Sequence, residues 1–330
     1  MRDNSLEIKR RKDWIDALRA IAMILVVYGH QVPEWNEYFV FTSPVKICLF
    51  FAISGYLLNT GKSWKEFLTS LLKHLVIPWA VLSLIQPILL LPLRGVDSLK
   101  VEVIAVLTGH AKWYMPCCII AEIIWYTFNK IFKSRIIPVF IMSYLAFFVG
   151  IILCKHEILN FWMINRALTV QPYLLIGAIY KIGEDKIRDR AGAISIIGIV
   201  LYIGLGVLSL VLYPGESLDV HTASYYNLFI CHAMIWIGII AMFIILEYGI
   251  KKYQNWIIIL GKDTLVVYLF HSLLITAVVK LMSLIGISNN RFIALLVTAI
   301  VCAMCCLLTF GINRFCPALL GGKKKTFKSI

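Results

Sequence analysis

Two ionisable residues sit inside the first long apolar run of the chain, Arg19 and His30 in DALRAIAMILVVYGH. They are eleven positions apart, three helical turns plus ~20°, so a helix puts both on one face with ~16 Å between them. Only Ala, Ile, Met, Leu, Val, Tyr and Gly lie between. Charge inside such a helix is costly and must face a bundle interior or a water-filled cavity. A neutral imidazole can take a proton from a hydroxyl and turn it into a nucleophile. A guanidinium suits a phosphate or pyrophosphate, and Asp16, three residues before Arg19, is placed to pair with it. The plainer alternatives are a structural His bonded to a neighbouring helix and a snorkelling Arg.

Other polar groups are scattered through the apolar runs. HAKWYMP gathers His110, Trp113 and Tyr114 at the end of a span, where aromatic rings either stack on a sugar or form an interfacial belt. His271 in YLFHSLLI is a second acid–base group, an acceptor contact or a structural His. His232 and Glu122 either line a cavity or pair with neighbours. Nine cysteines lie mostly inside apolar runs without zinc-ligand spacing, and read as small core residues with no disulfide framework and no metal.

These residues must be held by membrane helices. The chain has 330 residues, 60% hydrophobic and 15% charged, with a mean hydropathy of +0.84. Soluble domains carry about 25% charge. The expected fold is therefore an all-α polytopic membrane protein with no large soluble domain. Ten spans are expected, near 13–31, 45–60, 74–93, 113–132, 136–154, 167–181, 192–213, 228–249, 256–285 and 292–313. A membrane domain over 13–313 is flanked by basic tails, 1–12 and 314–330.

The net charge of +14 does not point to nucleic acid, because it lies in short loops between spans. With ten spans, Arg94, Lys100, Lys112, Lys155, Arg166 and Arg291 fall outside. Arg19, Lys46 and Lys280 fall within or at the edge of spans, and the remaining basic residues fall inside. That bias puts both termini in the cytoplasm. No cleavable signal peptide is expected, because the first run contains Arg19 and lacks a small-residue cleavage site. VDSLKVEVIAVLTGHAKW, from residue 96, is too short in its apolar part to span and reads as an interfacial or re-entrant segment.

The Arg-x10-His pattern after an Asp-x-x-Arg start resembles the first-helix motif of the membrane acyltransferase-3 family. LFFAISGYLL resembles the family's FFxxSGY motif at Phe50, Phe51, Ser54, Gly55 and Tyr56. KHLVIPW is similar to its basic stretch before a Pro, with Lys73 and His74 where Arg is common. HAKWYMP resembles its Trp-aromatic-Leu-Pro motif, and YLFHSLLI the late span containing a His, here His271. The resemblance covers about 13–312. The short form looks most like sugar or polysaccharide O-acetyltransferases of the fucose-acetylase type.

The resemblance implies transfer of an acetyl or acyl group from acetyl-CoA, the only cofactor expected, to a hydroxyl of a cell-surface glycan. It implies a multi-pass protein of the bacterial cytoplasmic membrane. His30 would be the general base. Arg19, Lys73 and His74 would hold the donor, with Ser54 near its carbonyl. Trp113, Tyr114, His110 and His271 would meet the acceptor. The runner-up is a transporter or translocase of a small molecule or glycan carrier, opposed by the lack of repeat symmetry. A sensor that kept the fold and lost catalysis is a third reading. The acceptor, the acyl chain length and the oligomeric state stay open.

Overall fold

The computed structural model describes residues 4–32, 35–250, 252–262 and 264–320. Within these residues the chain is helical, and its one β-bridge joins Asp219 to Ser224 in a loop. In a bilayer the backbone has no water to bond, so a chain this apolar closes its hydrogen bonds within helices. The helices are α1 (Asn4–Gly29), α2 (Asn36–Lys46), α3 (Cys48–Leu57), α4 (Trp64–Leu71), α5 (Ile77–Leu89), α6 (Leu91–Thr108), α7 (Tyr114–Ile131) and α8 (Ile136–Lys155). Then come α9 (Ile164–Thr169), α10 (Gln171–Ile187), α11 (Ala191–Leu212), α12 (Leu228–Ile244), α13 (Asn255–Lys262), α14 (Thr264–Leu284) and α15 (Arg291–Phe315). Among the described residues, seven helical stretches are long and apolar enough to cross a membrane. The protein is an all-α, multi-pass membrane protein.

α1 runs through the core. Ala17, Leu18, Ala20, Ala22 and Val27 are fully buried, and α2, α3, α13, α14 and α15 pack around the helix. Two close approaches set this packing. A Cβ on Gly55 of α3 would stand 1.9 Å from the Leu174 carbonyl oxygen. One on Gly177 of α10 would stand 1.8 Å from that of Ala52. The two helices therefore touch backbone to backbone, which only glycine allows. Gly261 of α13 meets α1 in the same way, with 1.7 Å from its absent Cβ to the Asp16 carbonyl oxygen. Around this core, α8, α11 and α15 expose Ile137, Phe148, Val200, Val211, Leu295 and Leu307, the surface a lipid-facing helix presents.

Several boundaries differ from the sequence reading. The second span begins at Asn36, because Pro44 lies inside α2 and does not break it. Residues 96–108 of the expected interfacial segment belong to α6, an 18-residue helix with Val101, Ile104 and Leu107 exposed. It ends at Gly109 with φ 74°, the left-handed C-cap that glycine supplies. The basic N-terminal segment enters α1 from Asn4. Residues 1–3 and the Lys323, Lys324, Lys325 and Lys328 tail lie outside the described residues. Between α4 and α5 the chain makes a π-helical turn over Leu72–Val76 that carries Lys73 and His74. All nine cysteines are free.

Candidate active site

Arg19, Met23 and Val26 follow one stripe of α1, at the spacing that keeps side chains on one helical face. All three line a cavity of about 600 Å³ between α1, α3, α4, α7 and α14. Arg19 is half-buried, and its guanidinium lies 3.3 Å from Asp16 Oδ1. Lys62, His74 and Lys262 line the same cavity. Lys262 is the last residue of α13, the helix that Gly261 brings against α1. Four groups able to carry positive charge therefore share one cavity.

Further in, the lining is Phe50, Ile53, Ser54, Tyr114, Met115, Cys118, Glu122 and Tyr268. Ser54 Oγ is 4.0 Å from Cys118 Sγ. The Cys118 thiol points to Glu122 Oε1 at 3.9 Å, and the Tyr114 hydroxyl points to the thiol at 3.8 Å. The Tyr114 backbone N–H donates to the Tyr268 hydroxyl at 3.1 Å. The lining along α1 reaches Val26, about one turn short of His30.

His30 stands just past the end of α1 and is exposed. The ring of His271 lies 4.9 Å from its own, centroid to centroid. His271 is buried at 3% exposure. Its Nδ1 faces the carbonyl oxygens of Val267 at 3.0 Å and Tyr268 at 2.7 Å. Carbonyls only accept, so Nδ1 carries the hydrogen and Nε2 keeps its lone pair. Ser272 Oγ is 3.3 Å from that nitrogen. His271 also packs on Tyr268, with 6.1 Å between the rings, so α14 connects the imidazole pair to the top of the cavity.

A second pocket of about 290 Å³ lies between α2, Trp113 and the loop before α12, and neither His30 nor His271 is in its lining. Its lining includes Ser43 and Lys46 of α2, Trp113, and Asp219 and His221 of the loop before α12. Ile47 lines both this pocket and the larger cavity. The Trp113 and His221 rings are 4.7 Å apart. Arg166 fixes the loop by donating from Nε to the His221 carbonyl at 2.7 Å. Burial, aided by the Arg166 charge, holds His221 below the usual histidine range despite Asp219.

The structure thus brings Arg19, Ser54, His74 and Tyr114 to one cavity and joins His30 to His271. Trp113 lines the second pocket instead, because consecutive residues at a helix start point ~100° apart. Lys73 is exposed on the π-helical turn and outside the cavity lining. His110 is exposed too, 3.0 Å from Thr108 Oγ1, and lines neither pocket. The sequence reading left Glu122 unassigned and gave no role to Lys46, Cys118, Asp219 or His221. For Glu122 and Lys46 the signal was present, since each is an ionisable residue inside an apolar run. His232 lies apart, its ring 4.5 Å from Phe147 and 5.7 Å from Tyr225.

The family model of an acyltransferase domain matches residues 12–312. The chain belongs to the acyltransferase-3 family. As a membrane acyltransferase it has the cavity and the imidazole pair within the matched span. Among curated proteins and solved structures, none matches this acyltransferase.

Proposed function

We propose that this acyltransferase moves an acetyl group from cytoplasmic acetyl-CoA to a hydroxyl of an extracytoplasmic cell-envelope carbohydrate. The observation that carries the reading is the α1 stripe: a cation-lined cavity begins at Arg19 and runs toward the imidazole pair. The residues fit such a donor. Arg19, Lys62, Lys262 and His74 would hold its phosphates, and Lys73, exposed outside the lining, would add only to the positive field around them. The apolar passage of Phe50 and Ile53 would take the thin pantetheine arm, and Ser54 would sit near the carbonyl. When bound, the donor supplies the thioester carbon that the acceptor oxygen attacks and leaves as a thiol.

The remaining work falls to this chain's side chains. His30 takes the proton of the acceptor hydroxyl as the new C–O bond forms, and returns it to the departing sulfur. His271, its Nδ1 held by two carbonyls, packs its ring 4.9 Å from that of His30 and would orient it. Trp113 stacks on the sugar, and His110, exposed outside both linings, would meet only a part of the acceptor that extends beyond the pocket. Tyr114 closes the donor side of the junction.

The chemistry needs both faces of the membrane, so topology is part of the proposal. The seven long apolar stretches become ten spans when α1 and α7 are added and the 42-residue stretch Gln171–Leu212 is divided at Arg188–Arg190, where the helix tightens to a 3₁₀ turn. Both termini are then cytoplasmic, in a bacterial cytoplasmic membrane.

The test is acetyl transfer by the purified protein in a bilayer, scored on surface glycan by mass spectrometry. His30→Ala is expected to lose about 10²–10⁴-fold of the rate while inserting normally. Undiminished transfer by a correctly inserted His30→Ala protein removes His30 as the base. Substrate flux with no thioester turnover replaces the reading with transport.

A further inference from the structure

Lys46 is the last residue of α2 and lies ten positions from its start, about 15 Å along the helix axis. Its side chain turns back toward the N-terminus of α2, as long helical side chains do. The ammonium comes to rest 4.8 Å from the centroid of Phe39 and 5.8 Å from that of Tyr38. It also stands 3.5 Å from the position a Cβ on Gly29 would take, directly before His30 in the chain. A cation held within a membrane helix is costly, and an opposite charge is one of the ways in which that cost is offset. Among the described residues no carboxylate lies within 4 Å of it. The aromatic faces offset part of the cost but do not neutralise it.

The acidic group whose field reaches Lys46 is Asp219, exposed on the pocket rim. Its oxygens are engaged in its own loop, accepting from the His221 backbone N–H at 2.9 Å and the Thr222 hydroxyl at 2.8 Å. Lys46 lines the small pocket together with Phe39, Ser43, Trp113 and His221.

We propose that the small pocket binds the acceptor and that the acceptor is an anionic sugar, whose carboxylate or phosphate supplies the missing counter-charge to Lys46. The assignment rests on the acyl-transfer reading for the word acceptor, but the binding it asserts does not need the donor. Trp113 gives the ring a stacking face. Asp219 and Ser43 offer oxygens to its hydroxyls. An ion pair to Lys46 then fixes which hydroxyl meets His30, because the ammonium packs beside Gly29.

The experiment is isothermal titration of the full chain in phosphatidylcholine nanodiscs, without donor, using methyl glucuronide, glucose 1-phosphate and methyl glucoside. One or both anionic sugars should bind at least about tenfold more tightly than the neutral one. Lys46→Met should erase that difference and leave neutral-sugar binding within about twofold, and Lys46→Arg should retain most of it. Removing a buried charge is compatible with folding, and a thermal melt of each variant checks that. Equal binding of all three sugars overturns the proposal. So does an unchanged preference in Lys46→Met, or loss of the preference when phosphatidylglycerol is added, which would make a lipid headgroup the anion. A protein that shows the preference yet transfers no acetyl group contradicts the enzymatic reading alone.

Discussion

At the scale of single residues, the site depends on where charge is tolerated. The first helix was legible because Arg19 and His30 break an otherwise apolar run, and that anomaly needs no structure to notice. Their partners were not legible in the same way. His271 meets His30 only because α14 packs on α1, and nothing local to YLFHSLLI states that contact. Lys46 stood out as a charge inside a span, but its outward reach depends on a side-chain direction that the sequence leaves unspecified. For Arg19 a prediction follows from its shape. A guanidinium holds two phosphate oxygens in a plane, whereas an ammonium is a point charge. Arg19→Lys is expected to raise the donor KM about tenfold with kcat little changed, measured with acetyl-CoA at saturating acceptor. Arg19→Ala should do worse on both, since it also leaves the nine-tenths-buried Asp16 carboxylate without its partner. A fall in kcat alone with Arg19→Lys would mean that Arg19 acts on the reacting groups and not on donor binding.

At the scale of elements, glycine contacts decide how near the cavity walls stand. FFAISGY was recognisable as a motif, yet its Gly55 is informative only once α10 is seen against it. Periodicity locates a span but does not say which span it packs on. Apolar helices of similar length look alike to one another, so the α3–α10 and α1–α13 pairings were beyond what the sequence alone supports. The boundary of α2 was missed for a related reason: Pro44 and the polar NEYFVFTSP read as loop, while the surrounding bundle absorbs the missing hydrogen bond. Gly177→Ala should test the α3–α10 contact. Its methyl would meet the Ala52 carbonyl oxygen at 1.8 Å and the Tyr56 nitrogen at 2.7 Å, both backbone, so neither can swing aside. The helices must separate, at a cost of about 1–3 kcal/mol or more. A thermal melt in detergent should show a lowered midpoint, and donor affinity should fall with it because Ser54 rides on α3. Gly183→Ala has only an isoleucine methyl at 3.9 Å to meet and should melt like the wild type.

At the scale of the whole molecule, the proposed function needs a route between two compartments. One cavity gathers Arg19, Lys62, His74 and Lys262; the other pocket holds Lys46, Trp113 and Asp219; Ile47 borders both. Helix class was legible from hydropathy, because the bilayer forces long apolar helices; the count of ten was an expectation, and seven stretches stand out by length and composition among the described residues. Sidedness was an expectation drawn from a charge bias. The decisive region is Gln171–Leu212, a stretch of 42 residues that would reach ~63 Å as one helix, twice the hydrocarbon thickness of ~30 Å. A single straight pass would put much of its apolar length in water, so the proposed topology has the stretch cross twice. The turn at Arg188–Arg190 carries two arginines, which favour the cytoplasmic side. The loop at Gly215 carries none nearby and leads to the His221 pocket. A periplasm-active reporter fused after Gly215 should therefore be active, and one fused after Arg190 silent, with a cytoplasm-active reporter giving the reverse. Equal readings at the two positions would leave α10 and α11 on one pass. The acceptor pocket would then face the same compartment as Arg19, and a transmembrane route for the acyl group would have no basis.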